Sequence, residues 1–394
     1  MAIEFGVDGE IEKLRQRVRD FVDSEVIPRE SDLTGPHGLP DEVRAALQAA
    51  AREAGLFAPH VPAGYGGLGL DTRGQAVIFE EAGRSPLGPV ALNCAAPDEG
   101  NMLLLERVAT AAQKERYLRP LAEGRTRSCF AMTEPAPGAG ADPGLLTTSA
   151  ARAGDGWRIS GRKHFITGAQ GAAFAIVMAR TSDNGATMFL VDADTPGMSV
   201  TRVIDTVDSS FSGGHAEVVF DECDVAADAV LGRPDEGFRY AQVRLGPARL
   251  THCMRWLGLA TRAHDIAVGY AARRRVFGSV LGELGMAQAQ IADNEIDIAA
   301  SRALIWQAAW ALDNGRPGRQ ETSVAKVFVA EAVGRVLDRS VQLCGALGVS
   351  ADLPLARFLG EVRPFRIYDG PSEVHRMSLA RRAIRRAAQD PVHS

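Results

Sequence analysis

"WRISGRKHFITG", Trp157 to Gly168, opens a block unlike the residues on either side of it. "FAIVMART" at 174–181, "TMFLVDA" at 187–193, "SVTRVIDT" at 199–206 and "HAEVVFDECDV" at 215–225 follow. Each is a short run rich in β-branched and aromatic residues, and Gly, Asp and Asn separate them. Such side chains fit a pleated, half-buried surface, and the separating residues accept turn geometry. The block therefore predicts a small β domain or barrel. The change of character begins near Cys129.

Before it the spacing is helical. "EIEKLRQRVRDFVDSEVIP" places Ile11, Leu14, Val18, Phe21 and Val22 at helical intervals and stops at Pro28. "PDEVRAALQAAAREAGL" opens on Pro40 and Asp41 and closes at Gly55. "TAAQKERYLRPLAEG" at 110–124 reads as a further short helix. From about residue 238 helix returns in long pieces. In "AKVFVAEAVGRVLDRSVQLCGALG" a stripe runs through Phe328, Ala332, Val336, Leu337, Val341 and Cys344, with Gly345 and Gly348 placed to end it. The expected class is α+β, with an all-α domain over 1–125, a central β domain over 126–237 and a C-terminal helical bundle over 238–394.

Composition removes several functions. Among 394 residues 46% are apolar, enough for a large core, and the net charge of −5 gives no electrostatic case for nucleic acid or an anionic membrane surface. The opening "MAIEFGVDGEIEKLRQ" lacks the apolar centre of a signal peptide, and no apolar run is long enough to span a bilayer. The five cysteines are scattered with no CxxC pair, which argues against a disulfide framework or zinc and fits a reducing cytoplasm. The histidines, His37, His60, His164, His215, His252, His264, His375 and His393, contain no HxxxH pair, so no metal site is expected. There is no GxSxG elbow. "GYGGLG" at 64–69 matches a dinucleotide fingerprint in letters alone, because Pro59 and Pro62 break the strand that should precede it. In the basic tail, Arg381, Arg382, Arg385 and Arg386 read as an exposed helix face rather than a phosphate site.

Five strings, read together with the helix–strand–helix order, carry a resemblance. They are "CFAMTEP" at 129–135, "GRKHFITG" at 161–168, "RRVFG" at 274–278, "QLCGALG" at 342–348 and "YDGPSEVHR" at 368–376. The chain resembles the acyl-CoA dehydrogenase family over nearly its whole length. "NCAAPDEGNM" at 93–102 and the "DGPSEVH" ending are similar to the branch of mammalian family members ten and eleven, which carries aspartate where most relatives have glutamate. The implied fold is an N-terminal helical domain, a central β-barrel-like domain and a C-terminal four-helix bundle. The implied cofactor is FAD, the substrate an acyl-CoA of fatty-acid β-oxidation, and the electron acceptor an electron-transfer flavoprotein. The implied assembly is a homodimer or homotetramer with each FAD shared across subunits.

The family reaction removes an α-proton from the thioester and passes the β-hydrogen to flavin N5 as hydride. It needs a carboxylate, donors on the thioester carbonyl, and a flavin lying against the Cα–Cβ bond. By resemblance Asp369 is the base, and its own turn contributes a backbone donor. Some relatives draw the base from the residue before an arginine that aligns with Arg249; here that residue is Ala248, which cannot take a proton. Arg249 is expected to hold the carboxylate or the substrate. Met132 and Thr133 of "MTEP" resemble the strand that borders the flavin pyrimidine edge, and Thr167 the threonine near N5. Phe165 stands where relatives have tryptophan, keeping an aromatic face but dropping the indole N–H. Arg274 and Phe277 resemble the pair that reaches a neighbouring subunit's FAD pyrophosphate, and Gln342 and Gly345 the residues near the diphosphate and adenosine. The loop "TEPAPGAGADP" departs from the pattern: it is two residues longer, and Ala141 replaces a serine. Two other readings stay open: a flavin oxidase similar to nitroalkane oxidase, and a flavin or acyl-CoA binding protein without catalysis.

Overall fold

The computed structural model describes residues 3–33, 35 and 37–389; His393 and the end of the basic tail lie outside them. Helices α1 (Gly9–Phe21), α2 (Asp41–Glu53), α3 (Thr72–Ala82) and α4 (Asp98–Val108) come first. Strands β1 (Ser128–Ala131), β2 (Ser149–Ala153), β3 (Gly156–Thr167), β4 (Phe174–Arg180), β5 (Ala186–Asp192), β6 (Met198–Ile204), β7 (His215–Val225) and β8 (Val230–Leu231) follow. Then come α5 (Gly237–Ala271), a hairpin of β9 (Arg275–Val276) and β10 (Ser279–Val280), α6 (Gly285–Asp313), α7 (Arg319–Cys344), α8 (Leu355–Val362) and α9 (Ser372–Gln389). The boundaries have local causes. The Asp8 and Asp71 carboxylates cap α1 and α3 by accepting from backbone N–H groups of the first turn, and Gly345, at φ +59°, ends α7.

The chain divides into two compact units. The sheet unit holds residues 24–70 and 89–248. Its strand order is β6-β7-β3-β2-β4-β5-β8, with β1 parallel to β4. The barrel-like centre expected from the strand block is an open sheet instead. The path runs out at β6, which is half exposed, and at β8, which has only two residues to pair. β4 and β5 are buried along almost their whole length, on both faces. Cys129, Ile159, Ile166, Val177, Phe189, Val218 and Phe220 form the centre of this core. α4 meets β1 through Asp98, which accepts from the Ser128 backbone N–H at 2.8 Å and from its hydroxyl at 2.6 Å. "GYGGLG" forms a short helical turn at Ala63–Tyr65 and a left-handed Gly66, with no strand before it.

The helical unit holds the chain up to Asp23, residues 71–88, and everything from Arg249 on. α1 packs on α3 and α3 on α6, while α7 packs on α6, α8 and α9. Its core includes Val18, Phe79, Leu257, Val329, Leu337, Phe358 and Phe365. Each such side chain contributes about 1.5–3 kcal/mol by leaving water. The buried Glu81 of α3 accepts from Arg15 at 2.8 Å and Arg19 at 3.0 Å of α1. Gly258 of α5 lies so close to α3 that a Cβ there would fall 1.9 Å from the Glu80 carbonyl oxygen. Among the described residues no helix is long and apolar enough to cross a membrane, no His/Cys/Asp/Glu group is arranged to hold a metal, and no disulfide joins the five buried cysteines.

Candidate active site

In the helical unit a short helical turn, Arg363–Arg366, leads into Tyr368, Asp369 and Gly370, and Pro371 then sets up α9. Asp369 has φ +53° and Gly370 φ +98°. Aspartate accepts the left-handed region better than most residues, because its short side chain bonds locally. Two neighbours hold the Asp369 backbone. Arg249 Nε, from α5, donates to its carbonyl oxygen at 2.7 Å, and His375 Nε2, from α9, lies 3.3 Å from the same atom. Arg249 is expected to hold the carboxylate or the substrate; the 2.7 Å bond runs to the Asp369 backbone carbonyl. Ala248, just before Arg249, is buried.

The Asp369 carboxylate faces a group that sequence reasoning passed over. His252 Nε2 lies 3.4 Å from Oδ2, and the two side chains are 6% and 16% exposed. The signal was available, since His252 follows Arg249 by three residues and so shares its face of α5. The other imidazole nitrogen, Nδ1, is 3.1 Å from Arg255 Nη2 and 3.4 Å from the Tyr368 hydroxyl. Lys326 of α7, fully buried, donates to the Phe365 carbonyl and stands 4.3 Å from the Phe365 ring centre.

Burial holds these bases down. It pushes Lys326 to about 8, against the pull of the Cys253 thiol and Asp369. It also lowers Arg249, with Asp369 opposing. His375 is pushed to about 4 by burial and by the Arg249 charge, so it is neutral at pH 7.

The sheet unit brings the predicted flavin contacts together. His164 N–H donates to the Thr133 carbonyl at 2.9 Å, and the Thr133 hydroxyl donates to the His164 carbonyl at 2.6 Å. Lys163 Nζ donates to the Met132 carbonyl at 3.1 Å. Residues 132–134 are thus laid along β3. Between Lys163 and Ile166 the register with β7 slips, and in this bulge Phe165 takes φ +55° and is 51% exposed. A bulge re-aims a side chain in this way. Beyond it the Thr167 hydroxyl lies 2.9 Å from His215 Nδ1, and His215 Nε2 lies 3.0 Å from the buried Asp208 Oδ2. This Thr167–His215–Asp208 chain also escaped the sequence reading.

The remaining predicted residues stand on the surface of the helical unit. Arg274 is exposed just before β9, and Phe277, at φ +49°, is 97% exposed at the hairpin tip. Gln342 is exposed at the end of α7 and Gly345 caps that helix.

Three family models cover the chain: the acyl-CoA dehydrogenase N-terminal domain matches residues 8–125, the middle domain 129–223 and the C-terminal domain 235–384. The Mycobacterium tuberculosis "Probable acyl-CoA dehydrogenase FadE2" is 37% identical, over 98% of this chain and 98% of its own. Acyl-CoA dehydrogenase family member 11 of Gallus gallus is 36% identical over 93% of this chain, which spans about half (49%) of that longer protein. Among solved structures, the butyryl-CoA dehydrogenase of Megasphaera elsdenii has a TM-score of 0.87 at 28% identity, covering 97% of this chain and 100% of that one.

Proposed function

We propose, from the premise that this chain belongs to the acyl-CoA dehydrogenase family, that Asp369 is the base of an α,β-dehydrogenation whose electrons pass to an electron-transfer flavoprotein. The family's members are FAD-binding flavoproteins, and this chain is an oxidoreductase acting on acyl-CoA. The observation that carries the assignment is the Asp369 turn. Its carboxylate stands on a left-handed backbone anchored by Arg249, while the residue before Arg249 is an alanine.

FAD, when bound, supplies the hydride acceptor. The chain's own residues do the rest. Asp369 takes the α-proton, and Arg249 fixes the turn that presents it. The Asp369 side chain is one methylene shorter than glutamate, about 1.5 Å less reach, so a fixed backbone matters: an error near 1 Å costs about 10²-fold. Met132, Thr133, Phe165 and Thr167 hold the flavin ring, with the Thr133 hydroxyl proton already committed to His164 and its oxygen left as an acceptor. Arg274, Phe277, Gln342 and Gly345 serve the diphosphate side of a second copy's FAD, in a homodimer or homotetramer. Their exposure in the single chain supports this. On the same reading the chain has three domains, 1–125, 126–237 and 238–394.

The test is an anaerobic titration of the FAD-loaded protein with butyryl-, octanoyl- and palmitoyl-CoA, followed by flavin absorbance. Wild type is expected to bleach with at least one of them, and Asp369→Asn, with FAD retained, to slow at least 10³-fold. Bleaching of the Asn variant at the wild-type rate removes Asp369 as base. No bleaching of wild type by any thioester removes the dehydrogenase reading.

A further inference from the structure

His252 is buried, reaches Asp369 with one nitrogen and meets Arg255 and Tyr368 at the other. Arginine has N–H groups and no acceptor. With Arg255 Nη2 at 3.1 Å, His252 Nδ1 must therefore offer its lone pair. Trp256 Nε1 donates to the Tyr368 oxygen, and the Tyr368 hydroxyl lies 3.4 Å from the same Nδ1. The Arg255 donor at Nδ1 excludes the imidazolium, which carries a proton there, and places the single ring proton on Nε2. That proton faces Asp369 Oδ2.

We propose that His252 is a positioning residue for Asp369: a neutral imidazole, locked in its Nε2–H tautomer by Arg255, that donates to Oδ2 and aims the carboxylate. The role of Asp369 as base is the reading given above, and the proposal rests on it. The backbone carbonyl of Asp369 is held by Arg249 and the carboxylate by His252, so one turn of α5 fixes both ends of the residue. A separation of 3.4 Å is long for a hydrogen bond, as contacts of this kind often are before substrate tightens the site. Charged or titratable groups around this turn include Arg249, Arg255, Lys326, Tyr368, His375 and Cys253, and all are retained in the variants below.

A donor to the ionised carboxyl stabilises the charged form, so its loss raises the pH at which Asp369 titrates. Two conservative variants separate this role from packing. The amide of His252→Gln reaches the place of Nε2 and keeps a donor toward Asp369. The amide of His252→Asn reaches only the place of Nδ1, and keeps the contact with Arg255 and Tyr368. The experiment is an infrared pH titration of FAD-loaded protein, with Asp369 isolated as the wild type minus Asp369→Asn difference in the same background. Expected is a rise of about one pH unit in His252→Asn and little change in His252→Gln, with FAD content and melting midpoint kept in both. An unchanged titration in His252→Asn overturns the proposal, as does the reverse order, in which Gln shifts it and Asn does not. The base reading is judged separately, since flavin bleaching that survives in Asp369→Asn removes it whatever the infrared titration reads.

Discussion

Lys163 Nζ stands 2.9 Å from Glu134 Oε1, and neither side chain has any exposed surface. Glu134 also accepts from the Thr147 N–H and hydroxyl, each at 2.7 Å, and from the Thr148 N–H at 2.8 Å. The ion pair is therefore the clamp that lays the Met132–Thr133 segment along β3. Removing one partner of a buried pair strands the other and costs about 3–5 kcal/mol. Lys163→Met is expected to fall in that range by chemical denaturation, and to lose FAD before it unfolds.

The same pair sets a pH window. Burial raises Glu134, but the Lys163 charge and the Thr148 and Thr147 bonds more than reverse that, leaving it at about 2. Its pKa is thus lower folded than unfolded. Its contribution to stability is complete above about pH 4.3, the unfolded value, and drains away as pH falls toward 2. Urea midpoints measured from pH 5 to pH 2.5 should fall steeply in wild type, and in Glu134→Gln this part of the fall should vanish.

Phe165 holds a left-handed backbone that its type does not favour, and the residue is half open to solvent. Such strain costs about 1–3 kcal/mol and persists only where the surroundings impose it. Phe165→Gly relieves it, while adding about 0.5–1 kcal/mol of unfolded-chain entropy. The relief equals or exceeds this cost, so the melting midpoint of the flavin-free protein should hold or rise while FAD retention on gel filtration drops. If FAD retention is unchanged, the ring has no part in holding the cofactor.

The strands were legible because their composition is extreme: all five runs from Trp157 to Val225 are strands in the fold. β2 is "SAARA", a sequence without strand character, and is recruited by pairing with β3. The openness of the sheet was invisible for a related reason, since closure depends on how far β6 and β8 extend and not on residue type. α5 runs through Pro247, which local propensity alone would treat as a break. In the site, Asp369 and Arg249 were readable as a motif. His215 and Glu134 were not, because each acts through a partner brought near by the fold, 48 and 29 positions away for Thr167 and Lys163; His252 was signalled only by its place three residues after Arg249, while its partner Asp369 lies 117 positions on.

His215 links Thr167 to Asp208, and the Asp208 carboxyl is held below its usual range: burial raises it, and the bond and charge of His215 outweigh that. His215→Phe keeps a ring of similar size but removes both bonds, leaving the Asp208 carboxylate buried without its donor. A loss of about 1–3 kcal/mol is expected. Adding Asp208→Leu should return a large part of it, because the stranded charge is gone. A double-mutant cycle by urea denaturation measures this, and additive losses would mean that the two residues are not coupled.

Gly370 and Gly334 make a matched pair of alanine tests. At Gly370 the backbone is left-handed, φ +98°, and a Cβ would lie 2.9 Å from His375 Nε2. That imidazole also approaches the Asp369 carbonyl, so the new methyl would push on the turn that carries the base. At Gly334, inside α7, a Cβ would meet nothing within 4 Å. Gly334→Ala should therefore stabilise by up to about 1 kcal/mol through helix propensity, with the rate of flavin reduction unchanged. Gly370→Ala should destabilise by about 1–3 kcal/mol. It should also slow flavin reduction by about 10²-fold, the effect of moving a reacting group by about 1 Å. Stopped-flow reduction beside thermal melting reads both. A Gly370→Ala protein that melts early yet reduces its flavin at the wild-type rate would mean that the turn's geometry does not control the position of Asp369.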